Sequence, residues 1–155
     1  AGLTLFSRRA AALSLSAMMI HLALASALFG GMLFFAAIVA PSVFSFLEGE
    51  AAGRFLRGIF PRYYIAGLGL SALGVPIAVW EGAFLGAGVL AAVAAGFALS
   101  RFGLVAKINA ARDSDLAGEA GAKARFNWLH RLSVLINLVQ MIALLALIGR
   151  GLALI

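Results

Sequence analysis

Cysteine is absent from the chain. That excludes disulfides, thiolate nucleophiles and cysteine-ligated metals, and leaves the redox compartment open. Charge is scarce as well: Asp, Glu, Lys and Arg together make up 12% of the residues, about half the share found in soluble domains. So little charge cannot wet a globular surface, and a soluble fold is excluded. The motifs of common hydrolytic and phosphate-binding sites are missing too: no HExxH, no phosphate-binding loop and no glycine-flanked nucleophile. The net charge of +6 would suit nucleic acid only on a basic face of a soluble fold. Here the basic residues collect in gaps between apolar runs, as membrane flanks do. No nucleic-acid partner is expected.

What is present is hydrocarbon: 64% of the 155 residues are hydrophobic and the mean hydropathy is +1.08. About 20 apolar residues cross a bilayer core of about 30 Å. Four runs qualify, at roughly 17–44, 63–80, 83–106 and 128–149. The expectation is an all-α, single-domain integral membrane bundle over 1–155, with the lipid bilayer as its first partner. The first run is too long for one perpendicular span, so residues 3–16 are placed as an interfacial or protruding extension. A signal peptide is the rival reading, since Arg8 and Arg9 precede an apolar stretch ending near Ala25-Ser26-Ala27.

Pro41, near the end of the first run, should kink or end its helix. "EGEAAGRFLRGIF" (48–60) alternates acidic, basic and aromatic positions at helical spacing and predicts a short interfacial helix. "FPRYY" (60–64) should open the second span, with Pro61 in its first turn and Tyr63 and Tyr64 at headgroup level. Trp80-Glu81-Gly82 reads as a tight turn. Residues 107–125 read as a solvated connection that extends the third helix for some turns.

Lys and Arg set the orientation. Arg54, Arg57, Arg62, Arg101, Lys107, Arg112, Lys123, Arg125 and Arg131 flank the connections after spans one and three, against Arg8, Arg9 and Arg150 on the opposite side. Both long connections should be cytoplasmic and both termini outside, in a bacterial inner (plasma) membrane. Small residues recur every four positions at Gly88, Ala92, Gly96 and Ser100, at Gly82 and Gly86, and at Ala23, Ala27 and Gly31. Such tracks let helices approach closely, within the bundle or between protomers of a homo-oligomer or larger membrane complex.

The fourth run, "NWLHRLSVLINLVQ" (127–140), carries His130, Ser133, Asn137 and Gln140. Separations of three, four and three keep them on one side of a helix. Polar groups in a bilayer face the bundle interior or a wet cavity. Two readings stand side by side: interhelical hydrogen bonds, or a polar path in which His130 exchanges protons and Arg131 attracts an anion. Tyr63, Arg62 and Glu81 are candidate supporting residues, Glu81 as a proton or cation site at the outer turn. His21 and His130 together raise the idea of a shared haem. Because spans one and four are antiparallel and each histidine begins its span, the two should lie near opposite faces, so no haem, other cofactor or metal is predicted. Transport or permeation of a small solute or ion, without enzymatic chemistry, is the leading function; a structural or assembly subunit is the alternative and a cofactor-binding membrane enzyme the third.

"FNWLHRLSVLIN" (126–137), a first span ending "AAIVAPSVFSFL" (36–47), and "FPRYY" (60–64) together resemble the transmembrane-protein-205-like family, a four-span group of unknown function. The resemblance runs from about residue 20 to 149 and is carried by Phe126, His130, Ser133 and Asn137 with Pro41, Phe44 and Tyr63. It implies a four-helix membrane protein with no established activity. A eukaryotic relative linked to platinum-drug resistance points to export or trafficking, hence to a resistance-type role.

Overall fold

A backbone N–H or C=O without a partner costs several kcal/mol in hydrocarbon, so a lipid-exposed chain this apolar is driven to helix. The computed structural model describes residues 19–153, and they form four long helices. These are α1 (Ile20–Phe46), α2 (Gly49–Trp80), α3 (Phe84–Leu116) and α4 (Ala122–Leu152), each long and apolar enough to cross a membrane. The expected 3–16 extension, with Arg8 and Arg9, lies outside the described residues.

Tight connections force consecutive helices to run antiparallel. Gly82, Gly118 and Gly121 turn the chain at φ of 72°, 78° and 76°, values that an L side chain resists. α1 packs against α2 and α4, α2 against α3, and α3 against α4, with α2–α3 the most extensive of these contacts. The helices thus close into a ring around a main core, and a second, smaller apolar cluster of Leu104, Ala111 and Leu129 joins the end of α3 to the start of α4.

Two turns depart from α geometry. Phe35–Val39 in α1 is π-helical, with the Ala40 N–H reaching back to the Phe35 carbonyl. It lies just before Pro41, whose missing N–H would leave an α-type turn one bond short. Pro41 therefore neither ends the helix nor stands as its last turn. In α3 the π segment is Leu99–Leu104, and no proline accounts for it.

The separate interfacial helix expected at 48–60 is not formed. Those residues are the first turns of α2, which runs through Pro61 and Pro76 without interruption. A proline inside a helix costs the bond to the carbonyl four residues earlier. For Pro61 that carbonyl belongs to Arg57, an exposed residue beyond the apolar core, where water can take the place of the lost donor.

Phe97, Leu90, Leu144, Val93, Ala25 and Ala78 are almost wholly enclosed at the centre, while Phe34, Ile38, Leu73, Leu85, Leu138 and Ile142 point outward into what is lipid for a membrane helix. Glycines set the spacing of the ring. A Cβ on Gly67 would fall 2.4 Å from the Phe97 ring, and one on Gly74 would fall 2.8 Å from Leu90. Gly67, Ser71, Gly74 and Ala78 form the buried face of α2, a small-residue track that the sequence analysis missed although its spacing was there to be read.

Of the tracks it did single out, Gly86, Gly96 and Ser100 face inward or half inward, whereas Gly88, Ala92, Ala23, Ala27 and Gly31 are exposed. A four-residue step overshoots a turn by about 40°, so the α3 track spirals from the outer face into the core. On α1 the buried face is instead His21, Ala25, Leu28 and Met32.

Candidate functional site

Two polar clusters lie in the bundle, separated by an apolar layer. The first is a seam along α4. Ser133 and Gln140 are buried and Asn137 half-buried. The Tyr63 hydroxyl on α2 donates to Asn137 Oδ1 at 2.9 Å. Asn137 Nδ2 donates to the Ser133 carbonyl at 2.9 Å, and the Ser133 hydroxyl to the His130 carbonyl at 2.9 Å. Gln140 Nε2 crosses to α3 and donates to the Val93 carbonyl at 2.8 Å. Gly96 makes that crossing possible, since a Cβ there would sit 2.7 Å from Gln140 Nε2.

Two oxygens of this region have no partner among the described residues: Gln140 Oε1 and, one turn beyond Gly96 on α3, Ser100 Oγ. The seam abuts an aromatic cluster. Tyr63 stacks on Phe35 at 4.5 Å between ring centres, meets Phe97 edge-on at 5.9 Å and touches Tyr64 at 5.2 Å.

The second cluster closes the opposite end. Glu81, in the α2–α3 turn, accepts the Nδ1–H of His21 on α1, and both side chains are buried. The same carboxylate accepts the Ile20 N–H at 3.0 Å and the His21 N–H at 3.4 Å. A helix start leaves N–H groups unpaired and carries partial positive charge, so a carboxylate is well placed there. Gly86 gives the imidazole its room: a Cβ would stand 2.7 Å from His21 Cδ2. Leu90 and Leu144, both fully buried, fill the layer between this pair and Gln140.

The sequence candidates divide accordingly. Tyr63, Ser133, Asn137 and Gln140 come together. His130 does not join them: it is exposed, with its ring parallel to Phe126 at 5.9 Å. Arg131 is exposed. Arg62 is exposed and donates to the Gly58 carbonyl at 2.6 Å. Glu81 lies at the far end, committed to His21 rather than standing as an isolated helix-end carboxylate. Gly151 at the end of α4 packs on Leu22 beside His21, so the two histidines stand about 30 Å apart measured along α4. Among the described residues no three His, Asp or Glu side chains gather into a metal-binding group. Gly86, Gly96, Tyr64 and Ser100 were missed as site residues; small residues opposite His21 and Gln140 are a signal only once the helix pairing is known.

No curated protein and no solved structure matches the chain. The family model described as Domain of unknown function (DUF4149) matches residues 23–116, which takes in most of α1 and all of α2 and α3. The four-span membrane protein described here belongs to that family of unknown function.

Proposed function

We propose that this protein is a non-enzymatic membrane unit that handles a small solute or ion, with the α4 seam as the inner half of its route. The observation that carries the reading is the pair of buried, unpartnered oxygens, Gln140 Oε1 and Ser100 Oγ. Unsatisfied acceptors inside a bilayer are costly and are relieved by a passing water or polar solute. The Leu90–Leu144 layer is the gate such a route must open. No cofactor is needed.

The basic connections after α1 and α3 favour placing that end in the cytoplasm of a bacterial inner membrane, and the α4 motif favours the finer kinship with the transmembrane-protein-205-like family and its resistance-type role. A second reading, an assembly subunit or homo-oligomer, is favoured by exposed Gly88 and Ala92 on α3, since a Cβ added at Gly88 would meet nothing within 4 Å.

Purified protein in vesicles with an entrapped pH dye tests the first reading, using proton, potassium and chloride gradients in turn. Flux above that of protein-free vesicles, lowered by Gln140→Leu, is expected. No flux of any of the three would overturn it, and partners co-purifying in fixed ratio would then support the second. Because the chain has no cysteine, single cysteines at Ala117 and Gly82 report orientation directly: Ala117 should label from the cytoplasmic side only.

A further inference from the structure

Outside the seam, three arginines from two helices converge on one groove. Arg57 and Arg62 of α2 and Arg101 of α3 line an open cleft of about 570 Å³ with Gly58, Pro61, Ile65 and Ala66. Membrane proteins commonly carry scattered basic flanks, but those are solvated one by one. Here the charges share a space and are unevenly paired. Arg57 holds Asp113 with both terminal nitrogens. Arg62 bonds only its own helix at Gly58, and among the described residues neither Arg62 nor Arg101 has a carboxylate partner. Arg101 lies over the Phe102 ring at 5.3 Å, and its Nε is buried without an acceptor among the described residues.

Arg101 also belongs to the π segment Leu99–Leu104, the one distorted turn with no proline to explain it. Single π turns recur at functional sites because they re-aim side chains.

Depth narrows the ligand. From Trp80 at the outer turn, Arg62 lies about 27 Å along α2. From Phe84, Arg101 lies about 26 Å along α3. Both distances approach the thickness of a hydrocarbon core, about 30 Å, so the guanidinium groups stand at the inner headgroup level. Guanidinium forks match the paired oxygens of a phosphate, and Ile65 and Ala66 continue the groove towards the core as an apolar wall.

We propose that this groove binds a phosphate-bearing anion, either the headgroup of an anionic lipid or a free phosphate from the cytoplasm. The site is independent of whether the bundle conducts.

The test compares wild type, Arg62→Gln, Arg62→Gln/Arg101→Gln, and a charge-matched control, Arg54→Gln/Arg125→Gln, whose side chains lie outside the groove. In one arm, native mass spectrometry counts phosphatidylglycerol retained against phosphatidylcholine. In the other, inorganic phosphate is titrated against the thermal unfolding of protein in neutral detergent. Saturable binding in either arm, weakened about tenfold or more by Arg62→Gln and by the double variant but less than about twofold by the control, is expected. The arm that responds identifies the source of the phosphate. Equal loss in the control, or no saturable binding in either arm, would overturn the proposal. Arg62 is exposed and bonds only Gly58, so its variant folds even if the Arg101 change does not.

Discussion

Glu81 and His21, sixty residues apart in sequence, form a buried pair that ties the α2–α3 turn to the first turn of α1. The carboxylate has two duties: it receives the imidazole and it closes the helix start at Ile20. Removing one member of a buried pair leaves the other unsolvated, which costs about 3–5 kcal/mol. Glu81→Ala should therefore lower the unfolding midpoint in detergent sharply. Glu81→Gln keeps one acceptor oxygen, enough for the Ile20 N–H, and its NH2 can donate to His21 Nδ1 in the other tautomer, so it should lose less. Equal loss in the two variants would show that the hydrogen bonds an amide can keep contribute nothing and that the effect lies in the carboxylate itself.

The imidazole depends on a missing side chain. A methyl at Gly86 would come within 2.7 Å of His21 Cδ2 and 3.0 Å of Nε2, so Gly86→Ala should push the ring off Glu81 and destabilise by about 1–3 kcal/mol. Gly88→Ala, two residues on, meets nothing within 4 Å and should be neutral or slightly stabilising through its higher helix propensity. Thermal unfolding of the two variants in parallel checks both, and a stable Gly86→Ala would mean that the ring has room after all.

Hydropathy made the four spans legible, because a run of some twenty apolar residues has few other homes. It also blurred their ends. α2 begins at Gly49 rather than at residue 63, since amphipathic turns and a tolerated proline look like a separate element when no neighbour is in view. The polar stripe was legible as periodicity but not in its exact phase. At 100° per residue, the buried positions of α4, Leu129, Ser133, Gln140, Leu144 and Leu147 among them, fall in an arc about 60° wide, and His130 lies about 40° beyond its edge. Asn137, about 20° beyond it, is half-buried and finds Tyr63. Which helix supplies a partner is a tertiary fact, so the bonds Tyr63–Asn137 and Gln140–Val93 could not be read from spacing, and neither could the meeting of His21 with Glu81.

Among the described residues, Tyr63 and Asn137 form the one hydrogen bond within the seam that joins side chains of two helices, and a double-mutant cycle isolates it. Tyr63→Phe and Asn137→Leu should each destabilise, and the double variant should fall short of their sum by about 0.6–1.7 kcal/mol, the range for interhelical bonds in membranes. Strict additivity in thermal or denaturant unfolding would mean that the two groups find other partners in solution.

His130 and Gln140 separate packing from passage. His130 is exposed, and only its backbone carbonyl enters the seam, as the acceptor for Ser133. His130→Gln keeps that carbonyl and should leave the unfolding midpoint unchanged to within about 0.5 kcal/mol, as surface substitutions do. Gln140→Leu removes the donor to Val93 together with the unpartnered Oε1. The lost bond and the relieved acceptor oppose each other, so stability should change by no more than about 1 kcal/mol, while any vesicle flux through the seam should fall as its deepest polar group disappears. A variant that is stable and conducts like wild type would assign Gln140 to helix packing alone. If His130→Gln instead reduced the flux and Gln140→Leu did not, the route would run along the exposed side of α4 and not through the ring.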